Sequence, residues 1–410
     1  MRKTTPSRAM NILLLNQYYP PDLAPTGRYL HDLAQQLVAR GHAVTTLTSR
    51  SSYACDQRWP ARETIDGVDV QRVGGLRIGR RYLLLRAIEQ ASFLLRLAIR
   101  LRRLRPTPDF ILCLTTPPFL GALVRAIRRH RTPYGQWIMD LYPDVLFAHE
   151  LVKPTSWCAR RLAGLARYAA RGGTFAVGLG PDMAARMAIY AGRCPVEAIP
   201  LWSLGAEEPP SPTAVQAMRR ERGWADEDLI LMYSGNMGRG HRFSEFLEAA
   251  AATPPESHLR WIFAGGGMRR DEVEQFAVDH PDAPIELLPY TAPDALATHL
   301  LSADVHLMSL DKRWEGCMIP SKVQAICQLG RPLLFVGGRN NSPSEWIVRY
   351  EAGWVVDEKD AAGLQQALQE MRDPLERARR GAGARRLAQE QFDATRNGER
   401  LCDLIEQQEN

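Results

Sequence analysis

The chain has 410 residues, 45% hydrophobic and 24% charged, with a formal net charge of +6 and a pI near 9.0. This is the balance of a soluble globular protein long enough for two cores, and its mild basicity permits an anionic partner (phosphate, membrane, nucleic acid) without demanding one. Seven scattered cysteines with no C-x-x-C exclude a disulfide framework and a zinc ribbon.

Met1 to Pro6 lacks the apolar core of a secretory signal. Asn11-Ile12-Leu13-Leu14-Leu15 is then a continuously apolar run, as in a parallel strand buried on both faces. The loop after it ends at Ala24-Pro25-Thr26-Gly27, where a glycine at a helix entry lets a phosphate or a reacting sugar approach the backbone. The next segment carries Leu30, Leu33, Ala34, Leu37 and Val38 at helical spacing and stops at Gly41. Further strands are predicted over 43–48, 68–73, 110–114, 134–139, 175–178 and 196–199.

Between Arg77 and Arg105 lie nine arginines and a single acid, Glu89. That many charges exclude a membrane-crossing helix over 82–101. On a helical wheel Leu84, Ile88, Ala91, Leu95 and Ala98 share one face, and Arg86, Phe93, Arg96, Arg100 and Arg103 share another. Arginine-rich amphipathic helices of this kind lie on anionic membranes, so Arg86, Arg96, Arg100 and Arg103 are candidate membrane contacts; a solvated outer helix is the bland alternative. Beyond it, Met139-Asp140-Leu141-Tyr142-Pro143-Asp144 follows a strong strand. A carboxylate there is placed to orient a sugar hydroxyl or act as base, and Asp140 is the better candidate of the two.

Residues 204–213 are rich in proline and lose all periodicity, which reads as a linker between a domain of residues 1–203 and another of 214–410. Strands then recur over 229–233, 260–264, 285–288, 305–309 and 333–336, with helices between them, among them 293–301 and 320–328, and largely helical sequence to the end. Two halves of alternating strands and helices imply an α/β chain of two Rossmann-like domains facing each other across a cleft.

In such sheets ligands bind at the carboxyl ends of strands. Tyr233-Ser234-Gly235-Asn236-Met237-Gly238-Arg239-Gly240-His241-Arg242 leaves a strand with glycines that expose backbone donors, and Arg239 and Arg242 are suited to a diphosphate. Gly265 and Gly266 lie in a second strand-to-helix loop that allows close approach of a nucleotide. In Glu315-Gly316-Cys317-Met318-Ile319-Pro320-Ser321-Lys322, Pro320 suits the first position of a helix, which puts Ser321 and Lys322 in the first turn. The helix dipole disfavours a cation there, so a bound anion explains Lys322 better than helix stability does. No His or Cys set has metal-ligand spacing. The one D-x-D, Asp226-Glu227-Asp228, precedes a strand and reads as a solvated turn.

Together these segments resemble glycosyltransferase family 4, in its bacterial exopolysaccharide, capsule and O-antigen branch of the colanic-acid type. The carriers are Asn16-Gln17-Tyr18-Tyr19-Pro20-Pro21 with Thr26-Gly27, Asp140 to Asp144, Tyr233 to Gly238, Phe263 to Gly267, and Ile319 to Lys322 running on to Gly330-Arg331-Pro332. The resemblance implies a GT-B fold, and a UDP- or GDP-linked sugar as substrate held mainly by the C-terminal domain. It further implies retention of anomeric configuration without metal or cofactor, and contacts from Leu288-Pro289-Tyr290 to the base. The family's E-x7-E motif would fall near Cys317 and on Ala325, neither acidic, with Glu315 close by. Where many members have His-Asp this chain has Met139-Asp140, and where they have Lys it has His241.

The expected protein is a retaining glycosyltransferase at the cytoplasmic face of the membrane, without a nucleic-acid partner. Lys322 and Arg239 would stabilise the leaving diphosphate, and Asp140 would position the acceptor or donor hydroxyl. Gly27, Gly235, Asn236, Met237, Gly238, His241, Arg242, Gly265, Gly266, Glu315 and Ser321 would line the donor, and the acceptor is expected to be a lipid-linked saccharide. The alternatives are a sugar-nucleotide epimerase of the same fold and a non-catalytic partner in polysaccharide assembly.

Overall fold

The computed structural model describes residues 8–52, 57–75, 83–128, 132–204 and 209–408, with the backbone alone for 83–87. The chain divides into two compact units. Unit 1 is formed by Met1–Pro200, Gly316–Met318 and Thr395–Asn410, and unit 2 by Leu201–Glu315 and Ile319–Ala394.

Unit 1 opens with β1 (Asn11–Leu15), α1 (Pro25–Ala39), β2 (Ala43–Ser49), β3 (Arg62–Ile65) and β4 (Val68–Val73). Next come α2 (Leu83–Arg103), β5 (Phe110–Cys113), α3 (Leu120–Ile127) and β6 (Tyr134–Trp137). It continues through α4 (Asp144–Ala148), α5 (Trp157–Ala170), β7 (Phe175–Gly178), α6 (Pro181–Ala191) and β8 (Val196–Ala198). The sheet order is β3-β4-β2-β1-β5-β6-β7-β8, with only the β3–β4 pair antiparallel. β5, β6 and β7 are buried at every position, as parallel strands are when helices cover both faces of a sheet.

Unit 2 begins with α7 (Pro212–Glu221), followed by β9 (Leu229–Asn236), α8 (Ser244–Ala251), β10 (Leu259–Gly266), α9 (Arg270–Asp279) and β11 (Ile285–Leu288). Then come α10 (Leu296–Leu301), β12 (Val305–Leu310), α11 (Val323–Gln328), β13 (Leu333–Gly337), α12 (Ser342–Tyr350) and β14 (Gly353–Val356). The helices α13 (Ala361–Glu370), α14 (Pro374–Gln391) and α15 (Ala394–Glu406) complete the chain. The sheet is all parallel with order β11-β10-β9-β12-β13-β14, and its direction of winding reverses between β9 and β12. Such a reversal opens a crevice at the strands' carboxyl ends. Tyr233, Phe243, Phe246, Trp261 and Phe263 pack together beneath one face.

The last helix belongs to unit 1 from Thr395 onward. Arg40 donates to Asp403 and Glu406, His42 pairs with Glu406 through Nε2 at 2.9 Å, and Asn397 donates to the Pro200 carbonyl at 3.0 Å. Gly398 allows the approach of α1, since a Cβ there would lie 2.0 Å from Gln36 Oε1.

The structure departs from the sequence reading in five places. α7 starts inside the stretch 204–213 taken as linker, because Ser211 caps the Ala214 N–H and Pro212 fills the first turn; residues 205–208 lie outside the described residues. α10 and α11 begin later than the predicted 293 and 320, at Leu296 and Val323, so Lys322 stands at the N-cap position of its helix, without a side-chain cap, instead of in the first turn. β3 pairs with β4 through an Asp66-Gly67 turn in which both residues have positive φ, a hairpin signal the sequence does carry. β14, read as part of a helical tail, is a short buried strand at the sheet edge. Asp228 of the D-x-D is no solvated turn residue, for it is buried, accepts from the Ala225 N–H and pairs with Arg260 at 2.5 Å.

Candidate functional site

In unit 2 the site grows from the ends of β9 and β10, which run in register with Gly235 opposite Gly265. Both glycines have positive φ, 131° and 121°. A Cβ on Gly265 would meet the Gly235 carbonyl oxygen at 2.1 Å, and one on Gly235 would meet Lys322 Cε at 2.6 Å. Only glycine fits either position, and the lysine stem therefore lies directly against the backbone of the β9 loop.

Lys322 Nζ sits 3.3 Å from the centroid of the Tyr233 ring, is sealed from solvent and makes no hydrogen bond among the described residues. Burial pushes its ammonium well below the ordinary lysine range. The ring face offers some cation–π stabilisation, but no carboxylate among the described residues pairs with the ammonium. His241 packs edge-on against the same ring at 5.6 Å. Its Nδ1–H donates to the Ser309 carbonyl at 2.8 Å, and burial holds it down at about 3, with the Lys322 charge acting in the same direction. His241 is thus a neutral wall of the lysine pocket at ordinary pH.

The remaining loop residues divide by exposure. Met237 is fully buried, with its N–H bonded to the Gly266 carbonyl at 2.6 Å, so it anchors the loop and presents no side chain to a ligand. Asn236 and Arg239 are exposed, and Gly238 is half-buried. Arg239 has no ion pair among the described residues. Arg242, by contrast, is spoken for: its guanidinium pairs with Glu245 at 2.5 Å and lies 3.8 Å from both Asp311 and Glu358. Three carboxylates thus surround its charge. Ser321 is exposed beside Lys322. Glu315 accepts from Asn341 Nδ2 at 2.9 Å and closes over Gly338, which turns it toward β13. Tyr290 and Pro289 are exposed, and the Tyr290 hydroxyl donates to the Gly266 carbonyl at 3.1 Å.

Three residues that sequence reasoning missed hold this framework. Arg270 donates to the carbonyls of Gly265 and, at 3.0 Å, of Leu288, tying the ends of β10 and β11 together. Ser309 accepts from the Arg242 N–H at 2.9 Å and donates to its carbonyl at 2.7 Å. His299, buried and neutral, reaches Ser234 at 3.2 Å. Arg270 closes the glycine-rich segment that begins at Gly265, whereas Ser309 and His299 lie outside any glycine-rich loop and their types carry no signal until the sheet order is known.

In unit 1, Gly27 is the third residue of α1, and its N–H is bonded to the Ala24 carbonyl at 3.0 Å. A Cβ there would lie 2.9 Å from the Tyr18 carbonyl oxygen. The glycine thus allows close helix-to-loop packing within unit 1. Asp140 follows β6, and its backbone N–H, like that of Met139, donates to Thr115 Oγ1 at 3.2 Å. Its carboxyl has neither ion pair nor hydrogen bond among the described residues, and burial pushes it up to about 6. Asp144 instead accepts from Arg186 and Tyr190, both at 2.6 Å. Behind Asp140 lies a pocket of about 30 Å³ between the ends of β5 and β6 and the helices α3, α5 and α6.

The helix α2 presents a different face from the one expected. Phe93, Leu97 and Leu101 face the core, while Ile88, Leu95 and Ile99 are exposed at 39%, 64% and 45%. Phe93 therefore does not share a surface with Arg96, Arg100 and Arg103, which are exposed; the Arg86 side chain lies outside the described residues. Among the described residues, no helix is long and apolar enough to cross a membrane.

Residues 26–226 match the family described as glycosyl transferase 4-like domain. A protein of Escherichia coli (strain K12), named as a colanic acid biosynthesis glycosyl transferase, WcaI, is 24% identical over 344 residues, or 78% of this chain and 82% of that protein. Among solved structures, a sucrose-phosphate synthase from Thermosynechococcus elongatus superposes with a TM-score of 0.76 at 16% identity, covering 97% of this chain and 98% of that one. Anabaena Alr3699/HepE in complex with UDP-glucose superposes with a TM-score of 0.70 at 14% identity, covering 97% and 100%. These likenesses show the GT-B fold, two Rossmann-like domains in one chain.

Proposed function

We propose that this chain, whose residues 26–226 match a glycosyl transferase 4-like domain, moves a sugar from a nucleotide-diphosphate-sugar donor to a lipid-linked saccharide acceptor in cell-surface polysaccharide synthesis, with retention at the anomeric carbon. The observation that carries the reading is Lys322, a sealed and unpartnered cation packed under the glycine loop at the switch point of the unit 2 sheet. A buried lysine without a carboxylate is costly in the empty protein, and a bound diphosphate supplies the missing countercharge. Breaking the donor's anomeric bond leaves negative charge on that diphosphate, where Lys322 and the exposed Arg239 stabilise it. Asp140 positions the reacting hydroxyl. HepE, of the same fold, is described with UDP-glucose, which favours a uridine donor.

A thermal-shift panel of UDP, GDP, ADP and their sugars tests the donor. One nucleotide at about a hundredfold excess over its Kd should raise the melting temperature by roughly 5–10 °C, through about 2.7 kcal/mol of linkage at about 2–4 °C per kcal/mol. A flat response to all of them sinks the reading. A second reading, a nucleotide-binding partner without turnover, is favoured by Cys317 and Ala325 standing where relatives carry glutamates. It predicts the same shift but no sugar release in the presence of membranes. The epimerase reading instead predicts a free epimerised sugar nucleotide from donor alone.

We place the enzyme on the membrane through α2. An apolar stripe of Ile88, Leu95 and Ile99 faces outward beside Arg96, Arg100 and Arg103, the arrangement of a helix lying in a bilayer interface. At about 1 kcal/mol per basic residue near an anionic leaflet, these arginines together with the apolar stripe dock the protein reversibly. Replacing Arg96, Arg100 and Arg103 by Gln should release it from anionic vesicles in a sedimentation assay, as high salt should. Wild-type protein that stays in the supernatant at low salt returns α2 to a solvated face.

A further inference from the structure

The carboxyl ends of β9, β10 and β11 carry a row of residues to which the donor reading gives no role. Ser234, Ala264 and Leu288 stand opposite one another in register, so their side chains share one face of the sheet. It is the face of Ile230 and Met232, against which Leu288 packs. Tyr233, over whose ring Lys322 lies, points to the other face. β9 pairs with β12 through Leu231 and Met232, whereas both strands run on beyond that point. The crevice of the switch point therefore opens beside Ser234, which is half-buried.

Behind Ser234 runs a chain of hydrogen bonds whose direction is fixed. Arg222 Nη1 lies 3.0 Å from His299 Nδ1, and His299 Nε2 lies 3.2 Å from Ser234 Oγ. A guanidinium only donates, so Nδ1 is the bare nitrogen of the ring and Nε2 carries the proton. His299 is fully buried, and burial together with the Arg222 charge holds it down at about 4, so the ring is neutral. Nε2–H therefore donates to Ser234 Oγ. The hydroxyl's own proton has no acceptor among the described residues. A positive guanidinium at the far end polarises the whole chain, which strengthens Oγ–H as a donor and weakens Oγ as an acceptor.

We infer that Ser234 reads the base of the donor by giving its proton to a ring carbonyl oxygen, O4 of uracil or O6 of a purine. Arg222 and His299 are positioning residues that hold the hydroxyl in that sense. Cytosine and adenine carry an amino group at the corresponding atom, which leaves the Ser234 proton unmet and faces the positive end of the chain. The row is apolar apart from this hydroxyl, which suits a flat base better than a sugar or a phosphate. The diphosphate is drawn instead to Lys322 on the other face of β9. This assignment rests on a nucleotide sugar being the donor.

Calorimetric titration of the full chain with UDP against CDP, and IDP against ADP, tests it. Within each pair the bases differ only in that oxygen or amino group and in the proton on the adjacent ring nitrogen. In the tighter-binding pair the keto nucleotide should bind roughly five- to tenfold better than its amino partner. Ser234→Ala and Arg222→Met should each bring that ratio to within about twofold, with the loss confined to the keto nucleotide. Thermal melting of each variant without ligand reports its folding separately. Equal binding within both pairs, or a ratio that survives both substitutions, overturns the inference. A loss by the same factor for both members of a pair also overturns it, and leaves the three residues to the fold alone. No binding of any nucleotide by the wild type would overturn the donor reading and this assignment with it.

Discussion

Lys322→Ala should lower kcat/KM by roughly 30- to 800-fold, the equivalent of about 2–4 kcal/mol, the range seen when one preorganised donor is removed from developing negative charge. The loss should fall mainly on kcat, because the cation matters most when the diphosphate departs. The fold should not suffer. The lysine nitrogen has no hydrogen bond to lose, and burial holds its folded-state pKa below the unfolded value. The sign follows from linkage: the folded protein then binds fewer protons than the unfolded chain, so Lys322 destabilises increasingly as pH falls below the ordinary lysine range. Lys322→Met, which keeps the volume, should therefore raise the melting temperature more at pH 7 than at pH 10. A variant that retains near-native turnover would show that Lys322 is not the principal cation.

Asp140→Asn should reduce kcat by a larger factor than it changes donor affinity, as expected for a group acting at the reacting hydroxyl. A loss of about 10²- to 10⁴-fold is the scale for a positioned acid–base group. For the wild type, kcat/KM should fall as pH drops below about 6, where the half-buried carboxyl takes up its proton. Stability should run the other way. With a folded pKa above the unfolded one, the carboxyl favours the folded state at low pH, and that contribution is lost as pH rises through about 6. Asp140→Asn should consequently stabilise the protein at pH 7, by up to about 3 kcal/mol, while it slows turnover. If denaturant titration shows no stabilisation and kinetics show only weaker donor binding, Asp140 belongs to recognition.

The strands were legible because parallel strands read as short apolar runs, and 175–178 and 285–288 match the structure residue for residue. Helix starts were less so: Pro320 looked like a first-turn proline, yet the chain keeps a turn through Ser321 and Lys322 before α11 begins. Glycine-rich loops flagged Gly235 and Gly265 for backbone freedom, and the structure supplies the cause, a lysine stem on one side and a carbonyl on the other. At Gly27 the crowding atom is the Tyr18 carbonyl oxygen of the preceding loop. Arg242 has carboxylate neighbours, Asp311 and Glu358, that are remote in sequence, so its surroundings were not legible beforehand. The α2 wheel showed two faces but not which one the sheet would claim. Phe93 decided that, its burial leaving the stripe of Ile88, Leu95 and Ile99 outside.

The C-terminal residues from Thr395 onward, which complete unit 1, also dictate an order of events during synthesis. The ribosome releases the unit 1 sheet early, yet Asp403 and Glu406, the partners of Arg40 and His42, leave it only after the whole of unit 2. At about 5–20 residues per second, the intervening stretch takes roughly 10–40 s to make. Through that interval unit 2 must fold while the surface of α1 stays uncovered. A chaperone that shields α1 would act on the nascent chain alone, and a fusion that delays the last helix should lower soluble yield without touching either sheet.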